Sequence, residues 1–311
     1  MSRIRIKHAL IALMAFFTFS SLANADERSK GNIDWSGGYV TAIGQGTSRP
    51  TGNRVKDRLA AMRAAEATAQ RALLETINGV RIDSVTTVEN MAMVEDRIKT
   101  RVAGLVKGAQ VVRRHSEWVD GATLATVEMR ICLSGGTAGC KGPALTNVID
   151  LASSKLPPHV PGDVMALDRP LPQPKPESNA PQPAAGRRNK PAYDPARKVT
   201  GVVFNLEGRY FERQMLPVVV TRGEEKLVTV YCVKQVKPDV VRTYGAVRYA
   251  ESIDHAARME KLGENPLVIP VADVSRENMI VIYTEDANLL RETMMHGNNY
   301  LNDARVVITN K

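Results

Sequence analysis

Aromatic residues are scarce in this 311-residue chain, at 5% of the whole. Any core must therefore be built from Val, Leu, Ile, Met and Ala. No basic run is interleaved with aromatics, so nucleic acid is excluded as a partner class. Histidine is rarer still. Apart from His8 there are His115, His159, His255 and His296, no two at a metal-ligand spacing, and the reading assigns no metal and no other cofactor. No serine carries a nucleophile-elbow pattern. The loop "SGGTAGCKG" (residues 134–142) lacks the Gly-Lys-Ser/Thr ending of a phosphate loop, and "IGQG" (residues 43–46) lacks the third glycine of a dinucleotide fingerprint. The adjacent acids Glu95-Asp96, Glu224-Glu225 and Glu285-Asp286 read as helix starts or turns, where negative charge is favoured. No catalytic residue is nominated and the chain reads as non-enzymatic. An active site gathered from distant residues would show only as polar groups converging in a deep pocket.

Long hydrophobic runs are also lacking, with one exception. Residues 1–25 place Arg3, Arg5 and Lys7 ahead of an apolar run from Ala9 to about Phe19, then close on Ala23-Asn24-Ala25. That order is a secretory signal with small residues Ala23 and Ala25 at −3 and −1 of the cleavage point. The run falls short of the roughly 20 residues that span a bilayer. The expected location is the periplasm, soluble or associated with the outer membrane. Removing three basic residues lowers the formal charge from +9 to +6, a modest excess that favours anionic envelope polymers such as peptidoglycan or lipid headgroups.

Only three cysteines are present. In an oxidising compartment Cys132 and Cys140 are the natural bridge, across a flexible glycine-containing loop. Closing it contributes roughly 2–3 kcal/mol in the chain-entropy estimate. Cys232 lies within an apolar strand pattern and reads as a buried thiol.

What the chain does have is punctuation. Eleven of its seventeen prolines fall between Pro157 and Pro195. Each removes an amide donor and fixes φ, so residues 156–196 read as an extended linker between two modules, residues 35–155 and 197–311. The upstream module starts with a strand at residues 37–46. Asn53 caps a long alanine-rich helix, and Asn78-Gly79 stops it with glycine in a left-handed turn. Val55, Leu59, Met62, Ala65, Ala69, Leu73 and Ile77 recur at three or four and define its buried stripe. Arg58, Arg63, Glu66, Gln70 and Arg71 stay outside. A strand at residues 80–90 and a shorter helix follow, with Val94, Ile98, Val102 and Leu105 inward and Gly108 at its end. Two strands split at Asp120-Gly121, a strong hairpin signal, complete a β-α-β-α-β-β order. The downstream module alternates strands and helices. The fold class is α+β, two mixed domains, the first an antiparallel-rich sheet with two helices.

The strand ending "AIGQG", the alanine-rich helix, "LLETINGVRIDS", "VKGAQVV" and "ATVEMRICL" together resemble the lipoprotein-20 superfamily, which includes the N-terminal domain of the flagellar assembly protein FlgT and the basal-disk protein FlgP. The resemblance covers residues 35–133, and no lipid-anchor cysteine follows Ala25. Downstream, "TGVVFNLEG", "MLPVVV", "GAVRYA", "GENPLVIP" and "YLNDARVVI" fall in the order seen in C-terminal regions of some exported proteins similar to that group. The resemblance implies a non-enzymatic scaffold or assembly protein working through protein–protein contacts, self-association included, with envelope or flagellar basal-body proteins, in a ring or disk. The alternative is a periplasmic module that binds peptidoglycan or anionic lipid.

Overall fold

The computed structural model describes residues 29–140, 142–149, 162–171, 189–223, 226–295 and 298–310. The chain is α+β, with seven α-helices and thirteen strands among these residues. Ala23 and Ala25, His159, His296 and Glu224-Glu225 lie outside them.

The first lobe contains β1 (Ser29–Asp34), β2 (Tyr39–Thr47), α1 (Arg54–Asn78), α2 (Val88–Val94), α3 (Asp96–Lys107), β3 (Gln110–Val119), β4 (Ala122–Cys132) and the single turn α4 (Leu145–Val148). Its sheet runs β1-β2-β4-β3, antiparallel throughout, and α1 lies across one face. Asn53 caps α1 by accepting from the amides of Val55 (3.1 Å) and Lys56 (3.2 Å). The hairpin turns at Asp120-Gly121, both with positive φ (49° and 80°), as a two-residue turn with the twist of the flanking strands requires.

The alanine content of α1 has a geometric cause. Its buried positions are Asp57, Ala61, Ala65, Ala69, Ala72, Leu73 and Ile77. Beneath them sit the glycines of β2: a Cβ on Gly44 would meet the backbone of Ala65 and Ala69, and one on Gly46 that of Ala61 and Ala65. Helix and sheet backbones touch because neither carries a bulky side chain there. The expected stripe is therefore corrected at its start. Val55 and Leu59 face solvent, at 69% and 54% exposure, since the close-packed row is set by the small residues rather than the large ones. Gly79 ends the helix with φ −78°, not in the left-handed region expected.

Residues 80–90 are also corrected. They form no strand. Asp83 accepts from the amides of Val85 (2.9 Å) and Thr86 (2.8 Å), folding the segment into a tight turn, and Thr87 then caps α2. The alternation that mimicked a strand buries Val80, Ile82 and Val88 around that turn. The order is thus β-β-α-α-α-β-β. Val94, expected inward, is 85% exposed, whereas Ile98, Val102 and Leu105 are buried.

The second lobe contains β5 (Asp163–Val164), β6 (Gly201–Asn205), β7 (Val219–Arg222), β8 (Leu227–Tyr231), α5 (Pro238–Tyr244), β9 (Arg248–Ala250), α6 (Ile253–Ala257), β10 (Pro266–Pro270), β11 (Asp273–Val274), β12 (Ile280–Ile282), α7 (Thr284–Met295) and β13 (Val306–Thr309). One sheet, β10-β6-β13-β9, is wholly parallel; the other, β11-β12-β7-β8-β5, is mixed. The near-continuous burial of β6 and β13 fits strands covered on both faces. Glu95-Asp96 and Glu285-Asp286 stand at the starts of α3 and α7.

The proline-rich stretch is not a spacer along its whole length. Its proline-free part, residues 162–169, supplies β5, which pairs with β8, and Met165, which is buried. Asn288 then receives the amide of Leu171 (2.8 Å), and Ala192 bridges to Val268. Prolines remove donors only where they stand, and the run between Pro161 and Pro170 is free to join a ladder. Nor are the lobes apart. Leu216 donates to the carbonyl of Ile82 (2.7 Å), Met215 to that of Arg81 (3.0 Å), and Arg81 pairs with Glu212. Buried apolar residues of both lobes form one connected cluster.

Candidate functional site

The lobes meet around a cleft of about 680 Å³. Its first-lobe wall is built from two glycine-containing turns. At one, Asp34 accepts from the Gly37 amide (2.8 Å) and the Ser36 hydroxyl (3.0 Å), and Gly38 continues with φ +76°. The other is the loop between Cys132 and Cys140, which are joined as a disulfide with Cα atoms 6.1 Å apart. Tyr39 donates its hydroxyl to the carbonyl of Ala138, and Arg130 donates to that of Gly139 (2.9 Å), so the loop is held at several points besides the bridge. From it Gly136 donates to the carbonyl of Thr243 (2.6 Å) in the second lobe. A Cβ on Gly136 would strike the ring of Tyr244.

The second-lobe wall comes from α5, β9, the turn at residues 259–261 and the residues just before β13. Trp35 meets Tyr249 edge to face, with ring centroids 5.4 Å apart. Burial raises the pKa of Tyr249, whose hydroxyl donates to the carbonyl of Gln214 (2.7 Å). Five charged side chains line the space: Arg248, Lys261 and Arg305 against Glu260 and Asp303. Asp303 is engaged by Lys237 at 2.7 Å. Lys261 places its Nζ 3.4 Å from the centre of the Tyr244 ring, a cation–π contact. That nitrogen is shielded from solvent and has no hydrogen-bond acceptor among the described residues. Burial foremost, and Arg248 next, lower its pKa to about 7, with Arg305 adding and Asp303 opposing. Burial likewise lowers the pKa of Arg248.

Four hydroxyl groups that line the cleft are engaged within the fold. Ser36 serves the Asp34 turn, Ser134 and Thr137 share one hydrogen bond (3.2 Å), and Thr146 donates to the carbonyl of Arg242 (2.9 Å). None of these lining hydroxyls meets a histidine. His115 is exposed on β3 and His255 lies on α6, accepting from the Glu251 amide at 3.4 Å. Among the described residues no group of three His, Cys, Asp or Glu could hold a metal ion. Cys232 is buried directly after β8, and burial raises its pKa. Sequence reading found the disulfide but missed the cleft. Its charged groups lie up to 57 residues apart, between Arg248 and Arg305, and converge only through the parallel sheet.

A second surface lies at the far end of the first lobe. β2 runs from Tyr39, opposite Cys132 near the cleft, to Thr47, opposite Leu124 near the hairpin. At that hairpin end Arg54 stacks over Trp118, 5.2 Å from its ring centre, and Val55, Leu59, Trp118 and Val119 are all exposed. β3 forms the sheet edge beside them.

A family model, described as the second domain of Treponema pallidum Tp0624, matches residues 201–310. The match therefore spans most of the second lobe, and its description names a domain and no activity. It makes no link to the lipoprotein-20 group. Among curated proteins none matches this chain.

Proposed function

We propose that this chain is a non-enzymatic scaffold or assembly protein of the cell envelope, exported to the periplasm and acting through protein–protein contacts in a ring or disk of the flagellar basal body. The flagellar assignment draws on the resemblance of residues 35–133. The observation that supports a contact role is the hairpin end of the first lobe. Val55 is 69% exposed, Leu59 54% and Trp118 46%, beside an edge strand with no described partner. Exposed large apolar groups next to an unpaired edge are a common basis for association. On the same strand Arg113 and Arg114 are paired with Glu128 and Glu66 of the same lobe, which leaves the apolar groups as the main contact surface.

Cross-linking in the intact periplasm tests this reading. The native chain should be captured with copies of itself or with basal-body proteins, and Leu59→Ser with Trp118→Ser should abolish capture while the purified protein melts within a few degrees of the native one. Undiminished capture by the double variant would overturn the assignment. The net positive charge, +9 over the whole chain, favours a second reading, binding of peptidoglycan or anionic lipid; retention on purified cell wall should then fall as salt rises.

A further inference from the structure

The cleft contains three cations that no carboxylate of the described residues pairs with. Among the described residues, Arg248, Lys261 and Arg305 have no ion-pair partner; Lys261 has the face of the Tyr244 ring and Arg248 donates weakly to the Gly136 carbonyl at 3.4 Å. Holding an ammonium out of water with no acceptor costs free energy unless something else recovers it. Structural economy would place an apolar residue at position 261. We propose that the cleft binds a carboxylate-ended ligand of short-peptide size, the carboxylate taken by Lys261, Arg248 and Arg305 and the body lying along Trp35, Tyr244 and Met259.

Charge selects the class. Three cations against two carboxylates leave the lining at +1, which suits one carboxylate and repels a polyanion through Glu260 and Asp303. Guanidinium groups present paired donors to a planar carboxylate. Size fits as well: about 680 Å³ lies within the range of roughly 300–1,000 Å³ for small-ligand sites. The first-lobe wall is the glycine turns at Gly37-Gly38 and Gly136, whose amides are engaged by Asp34 and by the Thr243 carbonyl, so a ligand body meets this wall by shape rather than by hydrogen bonding. Tyr244, 39% exposed, covers the ammonium and must swing outward for the carboxylate to reach it. The site goes beyond the scaffold reading, because it lies at the opposite end of the first lobe from the hairpin surface.

Protonation gives the site a signature. Lys261 faces Tyr244 from α5, Arg248 from β9, and Asp303 and Arg305 from the segment before β13, with Glu260 next to it in the chain. Its pKa near 7 leaves much of it neutral at pH 8, and a bound carboxylate draws the proton back. Affinity should then fall about tenfold between pH 6 and pH 8.

The test is equilibrium dialysis of the full chain against a pool of N-acetylated tripeptides with free C-terminal carboxylates, and against the same pool amidated. The acid pool should be retained at least tenfold above the amide pool. Lys261→Met and Arg305→Gln should each remove most of that retention, whereas Lys261→Arg should keep it and flatten its pH dependence, which a merely structural lysine would not do. Equal retention of the two pools would overturn the proposal. So would retention untouched by Lys261→Met and Arg305→Gln, or displacement of the peptides by an equal concentration of inorganic phosphate.

Discussion

One glycine of β2 and one of α3 show how differently a methyl group acts in different places. At Gly44 a Cβ would fall on the backbone of α1, and neither the helix nor the strand can yield without separating. Gly44→Ala should lower stability by about 1–3 kcal/mol, the usual range for overpacking, read from urea unfolding. At Gly104, within α3, a Cβ would meet nothing within 4 Å. Gly104→Ala should raise stability by about 0.5–1 kcal/mol, because alanine loses less backbone entropy in a helix. Equal effects at the two sites would refute the close-packed account of α1. Lys261 provides the second residue-scale expectation. Its folded pKa, about 7, lies below the ordinary lysine value of 10.5. Between these values the unfolded chain binds more protons, so the penalty of burying the ammonium is full below pH 7 and is relieved as pH rises toward 10. Lys261→Met should therefore gain stability over the native chain at pH 6 and lose more than half of that advantage by pH 9. A pH-independent difference in unfolding midpoint would sink the idea.

At the scale of elements, legibility followed the range of the interactions. The N-cap of α1, the Asp120-Gly121 turn and the Cys132–Cys140 bridge each depend on residues within about ten positions of one another, and all three could be read directly from the sequence. Residues 80–90 misled because alternate burial arises equally from a strand and from a turn pinned by Asp83. The true α1 stripe was hidden because its cause lies in another element, the glycines of β2, so Val55 and Leu59 had the right period and the wrong side. β5 was hidden by composition: surrounding prolines made the whole stretch look like a linker. Its attachment is measurable. Met165 is 5% exposed, and Met165→Ala should cost about 2 kcal/mol or more in urea unfolding, as buried methionine truncations do. A free spacer would show no change. The Lys226–Asp163 ion pair at 2.8 Å is exposed on both sides, and its removal should change stability far less.

On the scale of the molecule, the consequential feature is that the two sequence modules share their core. The contact is made at both sides of the cleft. On one side Met215 and Leu216 hydrogen-bond to the turn at Arg81 and Ile82; on the other the disulfide loop reaches Thr243 and Arg248. Trp35 stands between them, against Tyr249. Lobes joined in this way should unfold together, since neither buries its apolar face without the other. The native chain is thus expected to give one calorimetric transition whose van't Hoff and calorimetric enthalpies agree. Trp35→Ala removes the ring that bridges the two contact lines. It should cost about 3 kcal/mol or less, because Trp35 is only partly buried, and should split the transition in two as the lobes uncouple. If the variant instead melts in one sharp step at a slightly lower temperature, Trp35 is ordinary packing and the coupling rests on the backbone contacts at Arg81 and Thr243. Should the native chain already show two transitions, the lobes are independent, and a ligand site that needs both walls would have to form anew at each encounter.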